Sequence, residues 1–269
     1  MSRILVLVLL FLMLPASSGA NVPFGTGEVI KFRIGWGLVN AGTSWLRVKD
    51  TLRVRGRLCW ELESEAVSND VIGALYPVRD RVNSMMDVKD LTSRGLSKRL
   101  REGRYRKDRQ FEIDPEMGQI RKLKPGEPMR VAPLAHHVQD VLSAFYWLRT
   151  RKLEVGKTEY IQAVDELKNY TLAVKVLARE KVSVKAGEFD CYKIQPVLMG
   201  DGLFKTEGEV FIWLTADARK IPVQMKSRIF IGSISAQMES YTPPRPMRLP
   251  LDSAEAERVR SLANRNIRR

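Results

Sequence analysis

The sequence predicts a mainly β protein: curved antiparallel sheets forming a β-roll, an open barrel or a sandwich, with one packed α-helix near 137–150. Three observations carry this. Apolar and polar residues alternate with period two through most of the chain, short Gly-containing turns separate the alternating runs, and one long segment switches to helical spacing. With 44% hydrophobic and 28% charged residues over 269, the chain has the composition of a folded protein with a sizeable core.

The first 20 residues do not belong to that pattern. Arg3 gives a positive start, Ile4 to Leu14 are uninterrupted apolar residues, Pro15 breaks the run, and small residues stand at Ser18 and Ala20. This is the layout of an export signal cleaved after Ala20, which directs the chain to the periplasm. The run is shorter than the roughly 20 residues a helix needs to span a bilayer. No Cys follows it for acylation.

Residues 21–242 read as a single β-rich domain, with two halves meeting near 124–136. Ile30, Phe32, Ile34 and Trp36 share one strand face, against Lys31 and Arg33 on the other. Leu58, Trp60, Leu62 and Ser64 repeat this opposite Cys59, Glu61 and Glu63, and the pattern returns at Tyr170–Val176, Val210–Leu214, Ile221–Ile229 and Ile234–Met238. Turn signals fall at Arg55-Gly56, Glu102-Gly103, Ala186-Gly187, Gly200-Asp201-Gly202 and Ile231-Gly232. Strands with one apolar and one polar face, joined by tight turns, describe antiparallel meanders. Between them Val138, Val141, Leu142, Phe145 and Leu148 recur at helical spacing, with Asp140 early and Arg149 late, as the helix dipole favours. A shorter helix is expected over 69–75. Beyond 242, Pro243, Pro244, Pro246 and Pro250 forbid a strand, so 243–269 read as a Pro- and Arg-rich tail with a short surface helix over 253–264.

Several of these pieces occur together in a recognisable order. Gly27-Glu28 opens the first strand, Trp36-Gly37 ends it, and Ala41-Gly42 starts the next. Tyr76-Pro77-Val78-Arg79-Asp80, Leu100-Arg101-Glu102-Gly103 and Asp140-Val141-Leu142-Ser143-Ala144-Phe145-Tyr146-Trp147-Leu148-Arg149 follow, then Gly187-Glu188-Phe189-Asp190-Cys191, Gly208-Glu209 to Trp213-Leu214-Thr215, and Ile221-Pro222-Val223. Over residues 25–240 the chain resembles the bacterial domain-of-unknown-function 3108 family. The resemblance implies an exported envelope protein with a mostly β fold, and supplies no catalytic residues.

The 45 Lys and Arg against 31 Asp and Glu give a formal +14, of which the cleaved chain keeps +13. In the cytoplasm such an excess would suggest nucleic acid. Export excludes that partner and leaves the anionic envelope components: lipid head groups, lipopolysaccharide and acidic glycans. The charge is densest from Arg94 to Arg109, where Arg99, Arg101, Arg104, Arg106 and Arg109 surround Tyr105. These six are the candidate ligand-binding residues, because guanidinium groups hold phosphates and carboxylates bidentately. Basic residues also keep a hairpin from edge pairing, and both readings stay open.

Other chemistries find little support. Cys59 and Cys191, the only cysteines, either form a bridge or are two buried thiols. His136 and His137 are adjacent, whereas ligands sharing a metal on a helix stand three or four apart, so no metal and no cofactor are expected. There is no Gly-x-Ser-x-Gly elbow and no Gly-rich phosphate loop. The expected function is therefore non-enzymatic: binding or helping to assemble an anionic or amphipathic envelope component, with an apolar chain inside the roll and the basic rim on a head group. Two alternatives remain. One is a glycan hydrolase drawing paired carboxylates from Asp80, Asp140, Asp190 or Asp217, and the other is a scaffold for another envelope protein. The Lys and Arg on the strands' wet faces exclude an outer-membrane barrel.

Overall fold

The computed structural model describes residues 22–37, 39–124, 126–199, 209–228 and 232–245. The leader with its cleavage after Ala20, the Gly200–Gly202 turn, and the tail from 246, including the helix expected at 253–264, lie outside the described residues.

Among the described residues fourteen strands and two helices follow in the order β1 (Val29–Trp36), β2 (Val39–Val54), β3 (Arg57–Ser68), α1 (Asp70–Leu75), β4 (Arg79–Asp87), β5 (Ser93–Glu102), β6 (Tyr105–Asp114), β7 (Gln119–Leu123), β8 (Arg130–Pro133), α2 (Val141–Arg149), β9 (Thr158–Asp165), β10 (Lys168–Val184), β11 (Gly187–Met199), β12 (Val210–Thr215), β13 (Pro222–Arg228) and β14 (Ser233–Thr242). All strands lie in one antiparallel sheet, ordered β8-β7-β6-β5-β4-β3-β2-β1-β14-β13-β12-β11-β10-β9. Nearly every strand pairs with its neighbour in sequence. The exception is that β1 and β14 join mid-sheet, which leaves β8 and β9 as the two edges.

The alternation read from the sequence places Ile30 and Phe32 of β1 and Trp60 and Leu62 of β3 in the core. Strand β2 comes very close to β3 at Gly42, where a β-carbon would stand 2.1 Å from the Val67 carbonyl oxygen, so only glycine fits. Bulges between Val48 and Thr51 and between Val176 and Ala178 bend the longest strands.

The sheet curls until its two arms meet. Val164 of β9 packs with Leu96, Phe111, Ile113 and Ile120 of β5 to β7. Lys98 and Arg109 reach Asp165 and Glu166 at the end of β9, and Asn169 bonds the backbone of Pro133 and Ala135. Gln139, just before α2, exchanges backbone hydrogen bonds with Gln162 and Val164.

The chain passes from one edge to the other through α2, which occupies the middle of the roll. Leu142 and Tyr146 face Val48, Trp60, Leu62 and Met86 in one arm. Ala144 and Leu148, on the opposite helix face, pack against Ile161, Val174, Ile194 and Leu214 in the other. The helix begins four residues later than the expected 137. Asp140 is its N-cap, accepting from the Leu142 and Ser143 amides, and His137 has a left-handed φ of 49°. The Asp140 carboxylate also accepts the Ser84 and Ser93 hydroxyls, with no exposed surface. At the other end Arg149 is fully buried on Glu28, at 2.7 and 2.8 Å, with Tyr241 donating to the same carboxylate. The space expected to hold an apolar ligand chain is thus taken by the protein's own helix.

The cysteine bridge is not formed. Cys59 on β3 and Cys191 on β11 are free and buried, each thiol facing the carbonyl two residues before it, and five strands lie between theirs in the sheet. Burial, aided by Asp87 at Cys59 and by Asp190 at Cys191, pushes both thiols up to about 12.

Candidate functional site

The turns β1–β2 and β5–β6 and the α1 connection lie along one rim of the sheet. An open groove of about 470 Å³ lies between α1 and the β5–β6 hairpin. Asn69 builds its upper wall by capping α1 and bonding the Asn40 carbonyl, which ties the helix to the β1–β2 turn. On the far side the Tyr76 ring lies so close to Gly103 (φ +55°) that a β-carbon there would stand 2.6 Å from it. The Gly103 amide bonds the Pro77 carbonyl, and Val78 bridges Glu102. Val67, Pro77 and Val78 line the groove with apolar surface, and Arg79, Arg101 and Arg106 supply its positive charge, against Asp70 on the helix side.

Sheet register explains that charge. Directly paired residues share a face, so side chains form rows across the strands. One row reads Glu65, Arg81, Arg99, Asp108 and balances itself. Arg81 meets Glu65 at 2.7 Å, and Arg99 stands 3.9 Å from Asp108. The next row toward the rim reads Val67, Arg79, Arg101, Arg106, three cations with no acid among them. Arg79 falls beside Arg101 because the register is fixed by Arg81↔Arg99 on one side and Val78↔Glu102 on the other. Like charges facing each other across a sheet are destabilising. Arg101 borrows Asp108 from the neighbouring row at 2.7 Å, while Arg106 bonds only the Gly103 and Tyr105 carbonyls. Among the described residues no carboxylate pairs with Arg79, Arg104 or Arg106.

A second concavity of about 300 Å³ lies at the opposite rim and is also arginine-lined, by Arg55, Arg57 and Arg94. There every guanidinium is neutralised: Arg55 by Glu112 and Asp114, Arg57 by Asp87 and Asp90, and Arg94 by Asp90 and Glu116. It has no spare positive charge to offer a ligand.

The six predicted residues therefore divide. Arg101 and Arg106 line the groove, Arg99 lies on the same sheet face in the balanced row, and Arg104 and Tyr105 stand exposed at the hairpin tip. Arg109 points to the other face and is held by Glu166 as a strut between the arms. The residue that sequence reasoning missed is Arg79. Its signal was the proximity of Tyr76-Pro77-Val78-Arg79 to the expected 69–75 helix, but its place beside Arg101 depends on pairing between strands.

The carboxylates considered for hydrolysis do not gather. Asp140 caps α2, Asp190 pairs with Arg179, and Asp217 holds Thr215 and Arg219 in a turn. Asp80 has one acidic neighbour, Glu102, in hydrogen-bond contact. Burial first, then that contact, raises the Glu102 carboxyl above its ordinary value. Glycoside hydrolysis places its two carboxyl groups about 5–9.5 Å apart with the sugar between them, and a directly bonded pair leaves no such gap. Among the described residues no cluster of His, Cys, Asp and Glu fits a metal ion.

The model of the family described as "Protein of unknown function (DUF3108)" matches residues 31–239. The chain belongs to the DUF3108 family. That match spans β1 to β14 and both helices, so the groove and its arginines lie within the DUF3108 region. None of the curated proteins compared with the chain matches it. Among solved structures, the β-barrel-like protein of domain family DUF1849 from Brucella abortus is similar with a TM-score of 0.58 at 8% identity, covering 82% of this chain and 99% of that one. This likeness is one of fold. A candidate lipoprotein of Parabacteroides distasonis gives 0.36 at 8% identity, covering 82% and 98%. A candidate exported protein of Bacteroides fragilis with a YmcC-like fold gives 0.29 at 11%, also covering 82% and 98%.

Proposed function

We propose that this DUF3108 protein is exported to the periplasm and acts without catalysis. It binds an anionic, amphipathic envelope component at the groove between α1 and the β5–β6 hairpin. One observation carries the reading: the row Arg79, Arg101, Arg106 presents three cations along an apolar-walled groove, against one acid in the lining, Asp70, and one shared carboxylate, Asp108. An uncompensated row costs stability in the free protein, and a bound phosphate or carboxylate removes that cost. Charge-assisted hydrogen bonds of this kind contribute roughly 1.5–3 kcal/mol each. The leader pattern of residues 1–20 supports export. With α2 filling the roll, the ligand's apolar part lies along the outer surface.

The test is calorimetric titration with monomeric dihexanoyl phosphatidic acid, dihexanoyl phosphatidylcholine, inorganic phosphate and an oligogalacturonate. The phosphatidic acid is expected to bind best. The exposed double variant Arg79→Glu with Arg106→Glu is expected to weaken it more than about tenfold, the loss of ~1.4 kcal/mol or more. Equal binding of the zwitterionic lipid, or an unaffected variant, overturns the proposal. Preference for the oligogalacturonate moves the ligand class from lipid to acidic glycan.

A further inference from the structure

We infer that the rim carrying this groove is a docking surface for an anionic lipid bilayer. The inference rests on the anionic-ligand reading above and adds where the ligand is met: at a membrane surface, with the rim laid against it.

Helix α1 supplies the main observation. Its sequence Asp-Val-Ile-Gly-Ala-Leu is mostly apolar, yet none of its residues is buried. Val71 is 70% and Leu75 85% exposed, the latter the most exposed large apolar residue described. A six-residue helix has too few hydrogen bonds to persist alone. Here it is held in place by the Asn69 cap, the Asn40 contact and the packing of Tyr76 on Gly103, so the fold maintains a helix whose apolar side chains point to solvent. The neighbouring connections on the rim do the same, with Val39 at the β1–β2 turn and Tyr105 at the β5–β6 turn both about half exposed. Trp36, beside Val39, is the one exposed tryptophan of five.

Charge decides the occupant. The cations among these apolar residues are Arg79, Arg104 and Arg106, none paired with a carboxylate among the described residues, while the acids nearby are Asp70, the Asp80 and Glu102 carboxyls that bond each other on the other sheet face, and the Asp108 that Arg101 already engages. Apolar and aromatic side chains with arginines between them match the boundary of an anionic bilayer, where acyl chains take the former and phosphates the latter. A second copy of this chain would set the same arginines against one another.

The test is co-sedimentation of the purified protein with phosphatidylglycerol–phosphatidylcholine vesicles, joined to quenching of tryptophan fluorescence by brominated acyl chains. Binding to anionic but not to pure phosphatidylcholine vesicles is expected, with quenching that disappears in Trp36→Phe. Val71→Ser with Leu75→Ser leaves every charge in place and touches no buried residue, and is expected to weaken binding by about tenfold or more. Unchanged sedimentation of that variant overturns the inference, because charge alone, including that of the basic tail, then accounts for binding. So does the absence of vesicle binding while monomeric phosphatidic acid still titrates into the groove, an outcome that leaves the proposed function standing. Self-association lost in the same variant, without vesicle binding, assigns the rim to a second copy and also overturns it.

Discussion

Replacing Glu28 by Gln tests how the roll is closed around its helix. Glu28 and Arg149 form a two-pronged ion pair at 2.7 and 2.8 Å with no exposed surface on either side chain. The guanidinium also donates to the Arg219 and Pro23 carbonyls and lies 5.5 and 5.3 Å from the rings of Phe24 and Tyr146. One contact set thus joins the N-terminal segment, the end of α2 and the turn before β13. Gln keeps the shape and removes the charge, leaving a buried cation without a counter-charge. Breaking such a pair from one side costs about 3–5 kcal/mol. For a domain of this size that is a fall in Tm of roughly 6–20 °C. The further change Arg149→Met removes the stranded cation and is expected to restore part of the loss. Urea denaturation of wild type, both single variants and the double variant measures this. A single-variant loss below about 1 kcal/mol, or losses that add in the double, refutes the coupling.

Three other perturbations probe separate parts of the molecule. Asp140→Ala removes the α2 cap and the acceptor for the Ser84 and Ser93 hydroxyls, and is expected to cost about 2–4 kcal/mol in the same denaturation assay. Glu102→Gln relieves the contact with Asp80. Because the folded Glu102 carboxyl is raised above its unfolded value, its favourable contribution is present in acid and fades as pH rises through the folded value, so the variant should gain Tm over wild type at neutral pH and lose that gain in acid. Cys59 and Cys191, free and buried with raised thiols, should both resist a thiol reagent in the native state and both react on unfolding, and a reductant should leave Tm unchanged.

Much of the fold was legible because period-two alternation survives wherever one sheet face is buried, as at Ile30 and Phe32 or Trp60 and Leu62. The Arg55-Gly56 and Glu102-Gly103 turns were legible for a similar reason: each carries a glycine at positive φ. Two kinds of information were missing. Bulges at Val48/Thr51 and Val176/Ala178 shift the alternation inside β2 and β10, so those strands are longer than the pattern suggests. Pairings distant in sequence were hidden altogether, including β1 on β14 and the meeting of β9 with β5 to β7. Arg149 looked like a charge at a helix end and is instead fully buried, because its partner Glu28 lies 121 residues away. The geometry of the candidate groove was hidden for the same reason. The basic hairpin stood out by composition, but the contrast between the balanced row at Arg99 and the unbalanced row at Arg101 exists only in the register.

Native mass spectrometry of the protein released gently from cells, wild type beside Arg79→Glu with Arg106→Glu, decides whether the arginine row holds an anionic amphiphile. A mass adduct of an anionic amphiphile is expected on the wild-type protein, released by high salt and strongly reduced on the variant. Protein that is consistently empty, or an adduct equally abundant on both forms, would contradict it.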